Sequence, residues 1–361
     1  MIDCIRRDER FFGVTLLRAI AVLFLIVHHT LETSRMASAA PQASDWLVRI
    51  GEAGVDLLFV ATGFLMLYAG FRPGRPVASP AAFLLRRLAR LYPLYWVCCL
   101  AFLGIWSAGF LKSRDLSAGA VAKSLLLIPS SDTLMGISWI LSYLVFFGLI
   151  FSATLVFRSR DASIAICTTI IVALLALAPA LPAGEISDFL GKPIAVEFCF
   201  GMLVARYFLE HGERMPISAS WSVLAFAILA IAPPLVPSPD ASGLAGLPRV
   251  AAWGLPATLL LSAFLSIKPP KTLNARLANL AGDASYAIYL GHFFVMILYA
   301  KLLKDTALGH HSQVGAIPLV ILICVGVGVA IHLVVERPLT SHLLRLLRPR
   351  PDQNEAGPRA I

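Results

Sequence analysis

Ten long apolar stretches run through this chain, and they constrain its fold more than any other feature of the sequence. A helix of about 20 apolar residues crosses the hydrocarbon core of a bilayer. Stretches near this length occupy residues 12–31, 55–71, 91–111, 137–157, 164–181, 193–209, 221–236, 250–267, 284–303 and 314–335. Only helices and closed barrels satisfy their backbone hydrogen bonds in lipid. The sequence therefore predicts an all-α fold, a polytopic integral membrane bundle of about ten transmembrane helices.

The composition agrees with a lipid environment. Of the 361 residues, 58% are hydrophobic and 14% are charged, whereas soluble domains carry about 25% charged residues. The formal charge of +9 is explained by basic cytoplasmic loops, so we expect no nucleic-acid partner. The six cysteines show no CxxC or Cys/His ligand spacing, and we expect neither a metal nor a disulfide framework.

The distribution of basic residues predicts the orientation of the bundle. With the N-terminus inside, cytoplasmic segments carry 20 Lys and Arg residues and the opposite side carries 9. This bias places both termini in the cytoplasm. We divide the chain into a cytoplasmic N-terminal segment (1–11), a membrane domain (12–341) and a disordered cytoplasmic tail (342–361).

Two polar residues in the first predicted span stand out, because polar groups are costly inside a bilayer. Arg18 and His29 are eleven residues apart, which is almost three helical turns and places them on one face about 16 Å apart. His29 suits general-base chemistry on a hydroxyl. The alternative for Arg18 is a side chain that extends to the lipid headgroups.

Asp56 opens the second predicted span at a depth similar to that of His29. A carboxylate there is able to orient the imidazole, as in a catalytic triad. We therefore predict a catalytic set of His29, Asp56 and Arg18. The alternative for Asp56 is a carboxylate that stabilises the N-terminus of its own helix.

Three arginines precede the third predicted span, and they predict a site for phosphates. Arg86 and Arg90 are four residues apart and are expected on one helical face, with Arg87 beside them. Guanidinium groups bind phosphate oxygens well. The alternative is a basic anchor at the cytoplasmic side of the membrane.

Trp139, Tyr143 and Glu197 lie near the predicted outer ends of the fourth and sixth spans. We predict that they contact the substrate, because an ionised carboxylate within a membrane needs a partner or water. Helix packing is the alternative for the two aromatic side chains.

Seven sequence blocks resemble those of the membrane acyltransferase 3 family, in the same order over about residues 11–340. They begin at Leu17, Gly54, Phe83, Trp139, Glu197, Ser285 and Val335. The second block has Thr62 where the family usually has Ser, and Leu144 replaces a common Glu of the fourth block. If that carboxylate matters in the family, its role is absent here or is taken by Glu197.

The resemblance implies O-acylation of a carbohydrate or lipid-linked sugar in a bacterial inner membrane, with cytosolic acetyl-CoA as the acyl donor and no permanently bound cofactor. Within the family, the sequence looks most like the stand-alone exopolysaccharide O-acetyltransferases. The resemblance also carries over Arg18, His29 and the arginine cluster as functional residues. His29 then deprotonates the acceptor hydroxyl or transiently carries the acyl group, while Asp56 orients it.

Two other functional classes are compatible with the same sequence. A transporter or flippase of a lipid-linked sugar would also place Arg, His and Glu within the membrane, although we find no repeated halves of the kind that many transporters show. A membrane scaffold without turnover is the second alternative.

Overall fold

The computed structural model describes residues 11–37, 44–110, 116–212, 217–236, 246–268, 273–306 and 315–347, and within these ranges the chain contains helices and no strands. The all-α prediction is confirmed. The predicted N-terminal segment, apart from residue 11, lies outside the described residues, as does most of the predicted tail. The last helix continues to Leu346. The first residues of the predicted tail (342–361) are therefore helical.

We number the helices in chain order. They are α1 (Phe12–Ala37), α2 (Asp45–Ile50), α3 (Ala53–Gly70), α4 (Pro80–Ser107), α5 (Ala118–Leu126), α6 (Trp139–Thr154), α7 (Arg160–Leu177), α8 (Glu185–Leu190), α9 (Glu197–His211), α10 (Trp221–Ile231), α11 (Leu247–Phe264), α12 (Leu273–Asp283), α13 (Ser285–Asp305) and α14 (Ala316–Leu346). Two of them contain a π-helical turn, at Val250–Gly254 in α11 and at His332–Glu336 in α14.

Eight helical segments among the described residues are long and apolar enough to cross a membrane. They comprise α1, α2 with α3, α4, α6, α7, α11, α13 and α14. The chain is therefore a multi-pass membrane protein. The two other predicted spans, 193–209 and 221–236, coincide with the shorter helices α9 and α10, and α10 ends before Pro233 and Pro234. The count of ten spans and the cytoplasmic termini remain predictions.

Serine residues fix where several helices begin. The side chains of Ser79, Ser117 and Ser159 each accept a hydrogen bond from the backbone N–H three residues further on, which is the usual N-cap arrangement. Helix α4 consequently starts at Pro80, well before the predicted span at 91–111. The basic segment around Arg87 thus belongs to the first turns of a membrane helix.

The periphery of the bundle is apolar. Leu100, Val223, Leu322 and Val334 have exposed fractions between 66% and 74%. A soluble protein rarely exposes such a continuous apolar surface, whereas lipid solvates it. Polar side chains instead lie inside the bundle, and those of the sites described below gather near its two ends.

Close helix contacts place α1 in the centre of this arrangement. It packs against α3, α12 and α13, while α3 packs most extensively on α9. Gly63 and Gly201 allow this last contact, because a Cβ atom at either would overlap the carbonyl oxygen of the facing helix. Helices α1 and α13 run parallel, since Arg18 meets Ser285 at one end and Thr33 meets Met296 at the other.

Candidate active site

A cavity of about 470 Å³ opens at the end of the bundle that is predicted to face away from the cytoplasm. We call it the outer cavity. Four helices and two connecting segments contribute polar or aromatic side chains to its wall, and these are His28, His29, Glu32, Glu52, Trp139, Lys192, Arg249 and Tyr289. The predicted residues His29 and Trp139 are thus brought together, although 110 positions separate them in the sequence.

His29 lies between a carboxylate and a second imidazole. Its Nδ1 is 3.4 Å from Oε2 of Glu32, one helical turn further along α1. Its ring stacks on that of His292 from α13, with centroids 5.3 Å apart and an angle of 23° between the planes. The His29 side chain keeps 28% of its surface exposed, so a substrate in the outer cavity can reach it.

His28 lines the outer cavity as well. Its Nδ1 lies 2.8 Å from the carbonyl oxygen of Val48; because a carbonyl only accepts, Nδ1 carries the proton and donates. The other nitrogen, Nε2, is 3.5 Å from the same Glu32 oxygen that faces His29. The two imidazoles therefore share one carboxylate.

The predicted contact between Asp56 and His29 is not formed. Asp56 is fully buried and binds Arg249 instead, with a 2.8 Å hydrogen bond from Nη2 and a 3.3 Å bond from Nε. Arg249 also donates to Glu52 at 3.2 Å. A buried guanidinium must be paired, and this requirement holds Asp56 in an ion cluster. Glu32 is the carboxylate beside His29.

Glu197 belongs to the same ion cluster and does not line the outer cavity. It is fully buried and faces the Asp56 carboxyl. Gly254 makes room for it, because a Cβ there would lie 2.7 Å from Oε1 of Glu197. The prediction that Glu197 contacts substrate is therefore not supported by its position.

A second cavity of about 170 Å³ lies at the opposite end of the bundle, and we call it the inner cavity. Its charged lining consists of Arg18, Arg87, Arg90, Asp283 and Glu336. Nη2 of Arg18 donates a 2.7 Å hydrogen bond to Oγ of Ser285. Three guanidinium groups facing two carboxylates leave an excess of positive charge, which favours an anionic ligand.

Arg86 is the member of the predicted phosphate site that the structure excludes from the inner cavity. It is exposed, and its Nε donates to the carbonyl oxygen of Ala82 within its own helix. Arg87 and Arg90, three residues apart, line the inner cavity without Arg86, so only two members of the predicted cluster lie together there. Nε of Arg87 points to the carbonyl oxygen of Leu144 at 3.4 Å.

Leu144, which replaces a Glu that is common in the fourth sequence block, also lines the inner cavity. Glu197 does not fill this role, because it lies in the ion cluster at the other end of the bundle. The carboxylates nearest to Leu144 within the inner cavity are Asp283 and Glu336.

Trp139 and Lys192 form a wall between the outer cavity and a neighbouring side cavity of about 280 Å³. Lys192 lies over the Trp139 ring, with Nζ 5.7 Å from its centroid. Tyr143 also lines the side cavity, and its hydroxyl donates to the carbonyl of Phe189. Trp139 and Tyr143, two of the three predicted substrate residues, thus lie together at the side cavity.

A network around Glu185 fixes the rim of the side cavity. Hydrogen bonds from the Ser131 backbone and hydroxyl, from Lys123 and from Ser130 lower the pKa of the Glu185 carboxyl to about 2. The carboxylate is therefore ionised at neutral pH, and it ties the segment that precedes α6 to helix α8.

Comparison with known proteins identifies the family. Residues 11–335 match the family model described as an acyltransferase domain. The chain belongs to the membrane acyltransferase 3 family. The exopolysaccharide production protein ExoZ of Rhizobium meliloti (strain 1021) is 28% identical over 301 residues, which cover 80% of this chain and 90% of the relative. No solved structure matches the chain significantly.

The match confirms the resemblance seen in the sequence blocks, and it establishes this membrane protein as an acyltransferase rather than a transporter or a scaffold. Several polar residues of the acyltransferase were not singled out from the sequence. Glu32 had a usable signal, since it lies three and four residues after the two histidines. Glu52, Lys192 and Arg249 had none, because they lie near helix ends, where charged residues are ordinary.

Proposed function

We propose that this acyltransferase moves an acetyl group from cytosolic acetyl-CoA to a hydroxyl of an exopolysaccharide or of its lipid-linked sugar precursor. The observation that carries the proposal is that one helix, α1, presents a guanidinium to the inner cavity and an imidazole to the outer cavity. The two groups suit the two halves of the reaction.

The inner cavity is suited to the donor. Arg18, Arg87 and Arg90 are permanently charged, and their planar donor groups match phosphate oxygens. A cavity of about 170 Å³ is smaller than ordinary cofactor sites, so it holds only part of CoA, with the nucleotide outside. An extended pantetheine arm is comparable in length with the separation of about 16 Å along α1 between Arg18 and His29.

The outer cavity is suited to proton transfer. Glu32 facing Nδ1 of His29 at 3.4 Å favours a proton on Nδ1 and leaves the Nε2 lone pair as the base. Glu32 therefore takes the orienting role that the sequence assigned to Asp56. Asp56 acts indirectly, by holding Arg249 in the wall of the outer cavity.

The transfer needs no reactant other than the acyl donor and the acceptor hydroxyl. The acceptor oxygen attacks the thioester carbonyl carbon as His29 removes the hydroxyl proton, an ester C–O bond forms and the C–S bond breaks. The proton then passes from His29 to the departing thiolate, which leaves as CoA-SH. In the covalent variant the imidazole is acylated first and the hydroxyl attacks the acyl-imidazole.

The acceptor is expected to lie across the outer and side cavities. Trp139, with 37% of its surface exposed, offers an aromatic face on which a sugar ring can stack, and the buried Tyr143 ring supports it edge to face at a centroid distance of 6.0 Å. Lys192 is placed to bind an anionic substituent or a diphosphate. An exopolysaccharide acceptor is supported by the similarity to ExoZ, which is described as an exopolysaccharide production protein.

The experiment uses membranes that contain the full-length protein, incubated with radiolabelled acetyl-CoA and lipid-linked saccharide precursors. We expect label in the saccharide with the wild type and its loss with His29→Ala. His211→Ala is the matched control, because His211 is exposed and lies at the end of α9, away from both cavities.

Comparable transfer by correctly inserted His29→Ala would overturn the role of His29. No label in any saccharide, together with a wild-type surface polysaccharide unaltered by deletion of the protein, would overturn the proposed reaction. Mass spectrometry of the polysaccharide provides the second reading.

A further inference from the structure

The two histidines and the glutamate on α1 form a compact set of metal-ligand atoms. One nitrogen each of His28 and His29 and one oxygen of Glu32 lie within 4.8 Å of one another. The lack of Cys-based and Cys/His spacings predicts no metal. Two consecutive histidines followed by a carboxylate one helical turn later are nevertheless a donor set that the helix brings together.

The separations match those of ligands around a small tetrahedral ion. Donor bonds near 2.05 Å and tetrahedral angles place neighbouring ligand atoms about 3.3 Å apart. The observed values are 3.5 Å between Nε2 of His28 and Oε2 of Glu32, and 3.4 Å between Nδ1 of His29 and that oxygen. The remaining pair, the two imidazole nitrogens, lies within 4.8 Å and must come closer when the ion binds.

The surroundings of His28 resemble those of a metal-binding histidine. Metal-bound imidazoles usually donate their second N–H to a carboxylate or a backbone carbonyl, which fixes the tautomer. Nδ1 of His28 donates to the Val48 carbonyl at 2.8 Å, so its lone pair is on Nε2, the nitrogen that faces Glu32. This orientation exists without any metal.

The charges and the opening of the site also suit a cation. Both imidazoles and the carboxylate line the outer cavity, which leaves room for a water molecule or a substrate oxygen as a further ligand. The nearest buried cation, Arg249, has its charge balanced by Asp56 and Glu52. Imidazole and carboxylate donors select zinc and similar transition ions over Mg²⁺ or Ca²⁺.

We propose that His28, His29 and Glu32 form a binding site for a divalent transition metal ion, with Zn²⁺ as the preferred ion. The ligating atoms are Nε2 of His28, Nδ1 of His29 and a carboxylate oxygen of Glu32. Binding needs neither the acyl donor nor the acceptor.

A consequence for catalysis follows, and this part rests on the proposed function. A metal ion on Nδ1 of His29 leaves the proton on Nε2, which is the nitrogen that must accept the hydroxyl proton. Zn²⁺ therefore inhibits acetyl transfer, because it removes the base. The site makes the acyltransferase sensitive to the zinc concentration on the side of the membrane that the outer cavity faces.

Titration calorimetry with ZnCl₂ on the full-length protein, purified in detergent and treated with EDTA, tests the site without any substrate. We expect a single saturable site. Glu32→Gln and His28→Gln should each weaken Zn²⁺ binding by at least about tenfold, while His211→Gln binds as the wild type does. Glu32→Gln is the more informative variant, since Glu32 is 37% exposed and its amide replacement keeps the shape.

Replacing Zn²⁺ with Co²⁺ gives a spectroscopic reading, in which a visible absorption band should appear in the wild type and be lost in Glu32→Gln. No saturable binding to folded wild type, or equal binding by the wild type and both ligand variants, would overturn the site. Zn²⁺ binding without inhibition of transfer would support the metal site and overturn the role of His29 as base. The experiment therefore distinguishes failure of the metal site from failure of the proposed function.

Discussion

The inner and outer cavities lie at opposite ends of α1 and differ in the kind of charge that lines them. The inner cavity is lined by three guanidinium groups with two carboxylates, whereas the outer cavity has two imidazoles and an aromatic surface in addition to its carboxylates and cations. Guanidinium stays protonated at every physiological pH, while imidazole gains and loses a proton near neutrality. This difference is the basis of our proposal that the inner cavity binds the anionic donor and that the outer cavity is the place of proton transfer.

The largest expected effect is on turnover at the outer cavity. We expect His29→Ala to lower kcat by about 10²–10⁴, the usual contribution of a general base, with little change in KM for acetyl-CoA. Steady-state transfer kinetics in membranes measure both constants. An equal rise in KM and fall in kcat would show that the two cavities do not have separate roles.

The next effect concerns the ion cluster that forms the wall of the outer cavity. Asp56→Asn removes one partner of buried Arg249, which typically costs about 3–5 kcal/mol. Thermal unfolding of the detergent-purified protein should show a clear decrease in Tm. Glu197→Gln is the matched control, because Glu197 is equally buried but Arg249 donates its hydrogen bonds to Asp56 and Glu52. Equal Tm values for the two variants would contradict the importance of the Asp56–Arg249 pair.

A smaller effect is expected at the inner cavity. Hydrogen bonds to charged groups contribute about 1.5–3 kcal/mol, so Arg87→Gln and Arg90→Gln should each raise KM for acetyl-CoA by about 10- to 100-fold with kcat nearly unchanged. Arg86→Gln is the control, since Arg86 points away from the inner cavity. A KM equally raised by Arg86→Gln would indicate a general surface effect rather than a binding site.

The smallest effect is expected at the rim of the side cavity. Glu185→Gln weakens the attachment of the segment containing Ser130 and Ser131, and we expect KM for the acceptor to rise a few-fold with no change for the donor. Since the folded-state pKa of Glu185 is about 2 and its ordinary value is 4.5, its stabilising effect is present above pH 4.5 and is lost as the pH falls toward 2. Limited proteolysis of the segment against pH measures this, and a pH-independent pattern would contradict it.

The sequence predicted the helical bundle and the inward face of α1 correctly. Apolar length identifies membrane helices, and helical periodicity placed Arg18 and His29 on one face, where both contact α13. These properties are local, so they depend little on the rest of the fold.

The errors arose where the rotation of a helix depends on its neighbours. Asp56 lies in the first turn of α3, as predicted, but it binds Arg249, which is 193 positions away in the sequence. Adjacent positions on a helix point about 100° apart, so a basic segment alone could not show that Arg87 rather than Arg86 faces inward. Tertiary packing decided both cases.

CoA affinity in variants at each end of α1 shows whether donor binding and proton transfer occupy different ends of this helix. Calorimetric titration of CoA into the detergent-purified protein should give the same Kd for the wild type and for His29→Ala, although this variant does not turn over. Arg87→Gln should bind CoA about 10- to 100-fold more weakly. Loss of CoA binding in His29→Ala, or unchanged binding in Arg87→Gln, would show that the two functions are not separated along α1.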